Sequence, residues 1–209
     1  MAGFRRTANG ATARFAAGEA AIIRSLVSQV AELVGGEASS AMPGAAPGPA
    51  AAGQPPAGQP QPGEPAGAAG PGGLDDLAAQ LGLSDSAELP ADPILARLLP
   101  DGYADDPDAS KEFRRYTEIG LRSAKVEVAQ TVLATLPPGG GTVRLSVQDG
   151  QAWLRALNDV RLSLGVVLGV TDDFDEQVAD MSADDPQAAY VGVYQWLAAV
   201  QDSLVDALS

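Results

Sequence analysis

Neither cysteine nor histidine occurs anywhere in this sequence. The first absence removes disulfides, thiolate nucleophiles and zinc–thiolate sites. The second removes every imidazole base or ligand, and with it the side chain that naturally titrates near neutral pH. Catalysis would fall to carboxylates, lysine, tyrosine, serine or threonine, a narrow menu. No catalytic, cofactor-binding or metal-binding set of these stands out, so the chain reads as non-enzymatic, with no cofactor and no evident small-molecule substrate. Long apolar runs are also missing, and no segment can span a bilayer. No apolar stretch follows the arginines of MAGFRRTANG as a secretory signal requires, so the expected location is the cytoplasm.

Aromatic residues make up only 5% of the 209 residues, and much of the 45% hydrophobic content is alanine. Positive charge is scarce as well: 13 basic residues stand against 27 acidic ones, for a net charge of −14. A polyphosphate repels such a chain on average, so nucleic-acid binding would need a local basic face. The acidic pairs Asp105-Asp106, Asp172-Asp173 and Asp184-Asp185 read as helix-start charge and solubility.

What is abundant is glycine and proline, and it is concentrated. From Gly35 to Gly73 the sequence is nearly all Gly, Pro, Ala, Gln and Ser, with Met42 its only large apolar residue. Such a segment cannot bury enough surface to offset its ordering entropy. It reads as a disordered insert at 35–73 between an N-terminal strand–helix unit, 1–34, and the main helical part of the same domain, 74–209. Within the first unit, Thr12–Phe15 suggests a short strand. Ile22, Ile23, Leu26, Val30 and Leu33 then recur at helical spacing until Gly35-Gly36 ends the pattern. Beyond the insert, Leu74–Leu83 could form a weak helical turn. Asp92-Pro93 and Asp106-Pro107 each pair an N-cap with a proline at the first helical position. The second opens the longest helix, which Pro137-Pro138-Gly139-Gly140-Gly141 stops near Leu136. A strand at 142–145, a helix after Ser146 and a last helix from about Asp185-Pro186 complete the pass.

The pieces GATARFAAGE (from Gly10) and GTVRLSVQDG (from Gly141) echo each other. Each has a glycine, Thr-x-Arg among small apolar residues, an acidic residue and a helix. A lone short strand leaves its backbone groups unpaired. The economical solution pairs 12–15 with 142–145, with Arg14 and Arg144 pointing outward; chance similarity of short motifs is the bland alternative. The expected fold is therefore mainly α, a compact domain of four to six helices with a small two-stranded sheet, dimeric through apolar helix faces.

Candidate sites are few. Lys111, Arg114, Arg115, Arg122 and Lys125 project within a sector of about 100° on the long helix. Phe113, Tyr116, Thr117, Ala124 and Val128 fall on the opposite side, read as core-facing. The basic stripe is an anion- or nucleic-acid-facing surface, a solvated face, or a face paired with acidic runs elsewhere. Arg155 and Asp159 are spaced to pair along the next helix, as surface charges or inter-helix contacts. Trp153 and Trp196 read as core or interface anchors. Gly139-Gly140-Gly141 lacks the Lys-Ser/Thr of a phosphate-binding loop. The acidic turn at Asp172, Asp173, Asp175 and Glu176 lacks the spacing of a calcium loop.

The blocks DPILARLLPDGYADDPDASKEFRRYTEIGLRSAKVEVAQTVLATL, QAWLRALNDVRLSLGVVLGV and VYQWLAAVQDSLVDAL resemble an actinobacterial family catalogued as domain of unknown function 2017, the oxidative-stress transcriptional regulator AosR family. The resemblance covers about 4–34 and 92–208 and skips the insert. It implies a cytoplasmic regulator acting at promoters under oxidative stress, with DNA, sigma factor and RNA polymerase as partners. The family's genes lie beside that of a protease adaptor, which implies a rival reading as an interaction protein linked to regulated proteolysis. Redox sensing in the family is attributed to N-terminal cysteines. This sequence has none, so a thiol switch does not carry over. Nor is a helix-turn-helix evident; direct DNA contact would use the basic stripe or Arg5-Arg6.

Overall fold

A computed structural model of the chain describes residues 3–40, 90–103, 105–182 and 185–209, without the side chains of 37–40. Strands β1 (Arg5–Thr7) and β2 (Gly10–Phe15) are followed by helix α1 (Ala17–Ser40), then α2 (Pro93–Leu98) and α3 (Pro107–Thr135). Strand β3 (Gly141–Ser146) leads into α4 (Val147–Leu168), α5 (Phe174–Ala179) and α6 (Ala188–Leu208). The fold is mainly helical with one small antiparallel sheet.

The sheet pairs the two echoing segments. Thr12 lies opposite Arg144 and Arg14 opposite Thr142, antiparallel, across 131 residues of chain in the Thr12–Val143 contact. It is three-stranded, in the order β1-β2-β3, rather than two-stranded. β1 has only three residues, all exposed, so no inward alternation announces it. Gly10 enters β2 at φ 142°, and a Cβ there would stand 2.1 Å from the Leu145 carbonyl oxygen, so only glycine fits this crossing.

Ala11, Ala13, Phe15, Val143 and Leu145 point inward and meet α1, α4 and α6 in the main core. Trp153 is its centre, fully buried. Its ring stacks on Phe15 at 6.0 Å and meets Phe4 edge-on at 5.5 Å. Its indole Nε1 donates to Thr135 Oγ1 at 2.8 Å, so the one polar atom of the ring is satisfied. Trp196 is partly buried against the same core.

Helix starts follow their local chemistry. Asp92 accepts from the amides of Ile94 and Leu95, and Asp106 from that of Ala109. Ser146 and Asp149 form a reciprocal capping box at the start of α4. Two expectations are corrected. The glycines 35 and 36 do not end α1, which continues to Ser40. Neither takes the left-handed backbone of a helix stop, and Gly35 packs at ordinary contact distance on Val126 of α3. The boundary expected at 34/35 thus falls within a helix. The rest of the proline- and glycine-rich insert, 41–73, and the helical turn at Leu74–Leu83 lie outside the described residues.

Candidate functional site

The basic stripe of α3 faces the opposite way from its expected orientation at its N-terminal half. Phe113 and Tyr116 are 46% and 61% exposed, whereas Arg114, Glu118 and Arg122 are buried. The buried side of this helix carries Ser110, Arg114, Glu118 and Arg122 at four-residue steps, then Ala129 and Val132. One edge of the helix is thus polar inside for half its length and apolar inside for the rest.

Self-pairing makes that burial tolerable. Glu118 Oε1 accepts from Arg122 Nε at 2.9 Å and Nη2 at 2.7 Å, while Oε2 accepts from Arg114 Nη1 at 3.3 Å. Arg114 Nη2 also donates to the Leu99 carbonyl and to Asp101, fixing the segment after α2. Arg122 Nη1 reaches across to the Val34 carbonyl of α1 at 2.9 Å. At the other end of the same pair of helices, Arg24 of α1 donates to the Leu133 and Leu136 carbonyls that end α3, at 2.7 and 2.8 Å. The two helices therefore clasp each other by an arginine at each end, each satisfying main-chain carbonyls of its partner.

Lys125 is likewise committed: its ammonium lies 2.7 Å from Asp159 of α4. Asp159 does not pair with Arg155 along its own helix. It is turned into the α3–α4 contact, where burial raises its carboxyl above the usual range and the Lys125 hydrogen bond and charge offset that only in part. Of the residues in the sequence-derived stripe, Lys111 and Arg115 are the exposed ones. The structure brings Arg114 and Arg122 together on Glu118, places Lys125 elsewhere, and leaves no single cationic face on this helix.

The exposed cationic face lies on the sheet instead. β2 and β3 turn Arg14 and Arg144 outward, as expected, and β1 adds Arg5 in the row of Thr12 and Arg144. Sequence reasoning named Arg5-Arg6 without a surface to put them on. The missing signal was the third strand. Elsewhere, Arg161 donates to Gln201 Oε1 at 2.8 Å and stands over the Tyr194 ring at 5.3 Å. Among the described residues, no group of three or more Asp or Glu could hold a metal ion, and no helix is long and apolar enough to cross a membrane.

These features define a helical domain with an internal ion ladder and an arginine-bearing sheet face, closed across the long N-terminal connection. The profile of the family described as Domain of unknown function (DUF2017) matches residues 1–208, and the chain belongs to that family. It is 40% identical over 132 residues to the "Oxidative stress regulator AosR" of Mycobacterium tuberculosis (strain ATCC 25618 / H37Rv), and equally to that of Mycobacterium bovis (strain ATCC BAA-935 / AF2122/97). Those matches span 57% of this chain and 59% of each relative. A counterpart in Mycobacterium leprae (strain TN) is 37% identical over 149 residues, 65% of this chain and 67% of its own. No solved structure matches the chain.

Proposed function

We propose that this protein is a non-enzymatic regulator of the oxidative-stress response that acts at promoters together with sigma factor and RNA polymerase. The 40% identity to proteins named oxidative stress regulators carries this reading. The family match over residues 1–208 includes the α3 and α4 segments whose ion ladder and Trp153 anchor organise this fold. The stress signal is not read by a thiol within this sequence, which contains no cysteine.

The test compares transcript profiles of a strain lacking the gene with its parent before and after peroxide. Loss of part of the induced response, restored by the wild-type gene, supports the reading. An unchanged response overturns it.

A second reading, as an interaction or adaptor protein linked to regulated proteolysis, draws on the outward large apolar side chains of α3 and of the segment before it. Tyr103, Phe113, Tyr116 and Leu121 are each more than 40% exposed, and Tyr103 meets Phe113 edge-on at 5.9 Å. Exposed aromatics such as the Tyr103–Phe113 pair suit a protein partner. Affinity capture with wild type and with Phe113→Ser/Tyr116→Ser separates the two. Protease components lost in the variant favour the adaptor, and polymerase components favour the regulator.

A further inference from the structure

We propose that the solvent face of the three-stranded sheet, carrying Arg5, Arg14 and Arg144, docks the phosphate backbone of duplex DNA; this deepens the promoter reading above and rests on it. The registers define the face. Arg5, Thr12 and Arg144 form one cross-strand row, and Arg14 and Thr142 form the next. Partners directly opposite share a side of the sheet, so Arg5 and Arg144 flank Thr12 about 10 Å apart, and Arg14 sits about 7 Å further along β2. Ser146 and Thr7 close the row at the hairpin end.

The chemistry of the face is one-sided. The strands contain no aspartate or glutamate, in a chain with 27 acidic residues. Arg5, Arg14 and Arg144 are exposed, and none of their side chains makes an ion pair or hydrogen bond among the described residues. By contrast, Arg114, Arg122 and Lys125 are all neutralised internally. Two carboxylates adjoining the sheet, Glu19 and Asp149, are occupied at helix starts, on the Ala16 amide and on Ser146. Thr12 already donates to the Val143 carbonyl, which leaves Thr7 and Thr142 as the free hydroxyls of the face.

Guanidinium and hydroxyl groups are the set that positions a protein on phosphates. No aromatic side chain points outward from these strands, so bases have nothing to stack on, which disfavours single strands. It also lacks the aromatic anchors of a protein interface. What remains is a duplex backbone, held without sequence readout. With a net charge of −14 behind it, such contact is weak and salt-sensitive, suited to a protein recruited by others and then oriented on DNA.

The test measures fluorescence anisotropy of a labelled random duplex of about 30 base pairs, titrated with the full chain from about 25 to 200 mM KCl. Arg5→Gln/Arg14→Gln/Arg144→Gln is compared with Lys111→Gln/Arg115→Gln, after circular dichroism confirms that both keep the wild-type melt. The expected result is a loss of affinity of about tenfold or more at low salt for the sheet variant, with a log–log salt slope shallower by about 2 to 3, and near-wild-type binding for the helix variant. Wild-type binding by the sheet variant overturns the proposal, as does no duplex binding at the lowest salt. Displacement of the duplex by poly-glutamate at the sheet face with equal affinity for both also overturns it, in favour of an acidic protein partner. None of those outcomes touches the peroxide-response experiment, so the two readings fail separately.

Discussion

Lys125 reaches Asp159 at 2.7 Å across the contact between α3 and α4, and both side chains are largely withdrawn from water. Removing one partner strands the other. Lys125→Met should cost about 3 kcal/mol in urea unfolding, whereas Lys125→Met/Asp159→Leu should recover most of that loss. Equal destabilisation by the single and double variants would mean that the stranded Asp159 is not the source of the loss.

The same pair sets a pH dependence. The folded-state pKa of Asp159 is raised, chiefly by burial. The native state therefore holds this proton to a higher pH than the unfolded chain does. The associated stability is fully present below the ordinary aspartate range and is lost as pH rises through the raised value. Asp159→Asn should remove that downward slope from a stability–pH curve, leaving the slopes from other carboxylates in place. An unchanged curve would contradict it.

Glu118 holds Arg114 and Arg122 together in a buried setting. Glu118→Gln keeps the shape but leaves two guanidinium charges without their shared counter-ion. The expected loss is about 3 kcal/mol, or a melting temperature lower by roughly 6–12 °C for a domain of this size. Differential scanning calorimetry reads it directly.

Arg24 caps the carbonyls at the end of α3 from a neighbouring helix. Arg24→Met should cost about 2 kcal/mol, in the range of hydrogen bonds to charged groups. Arg24→Lys should restore only part, because an ammonium on a shorter reach replaces a planar fork. Hydrogen exchange at the last turn of α3 should rise in both.

Gly10→Ala meets the Leu145 carbonyl oxygen at a backbone angle that other residues rarely adopt. Upwards of about 3 kcal/mol should be lost, through separation of β2 from β3. A near-wild-type melt would show that the crossing can relax.

The sequence carried the elements that rest on local chemistry. Asp92-Pro93, Asp106-Pro107 and Ser146 each mark a helix start because the cap and the first turn are neighbours in the chain. The β2–β3 pairing was legible from an echo in side-chain pattern. β1 was not, since Arg5, Arg6 and Thr7 give no inward alternation to read. The facing of α3 was misread for a definite reason. Helical periodicity assigns charge to water, and Arg114, Glu118 and Arg122 escape that rule by satisfying one another. Which carboxylate Lys125 would find was equally hidden, because Asp159 lies 34 positions away on another helix. The sheet face required the register of all three strands before its arginines could be seen as one surface.

The pairing of β2 with β3 also governs when this protein can fold. Thr12 must wait for Val143, 131 residues later. At ordinary translation speeds that is a delay on the order of ten seconds. Throughout it β2 has only the short β1 beside it, its other edge has no partner, and Trp153 has not yet left the ribosome to meet Phe15. Closure of the domain is thus a late, high-contact-order event. Nascent chains halted before residue 141 should hold α1 beside a two-stranded hairpin whose β3 edge is open.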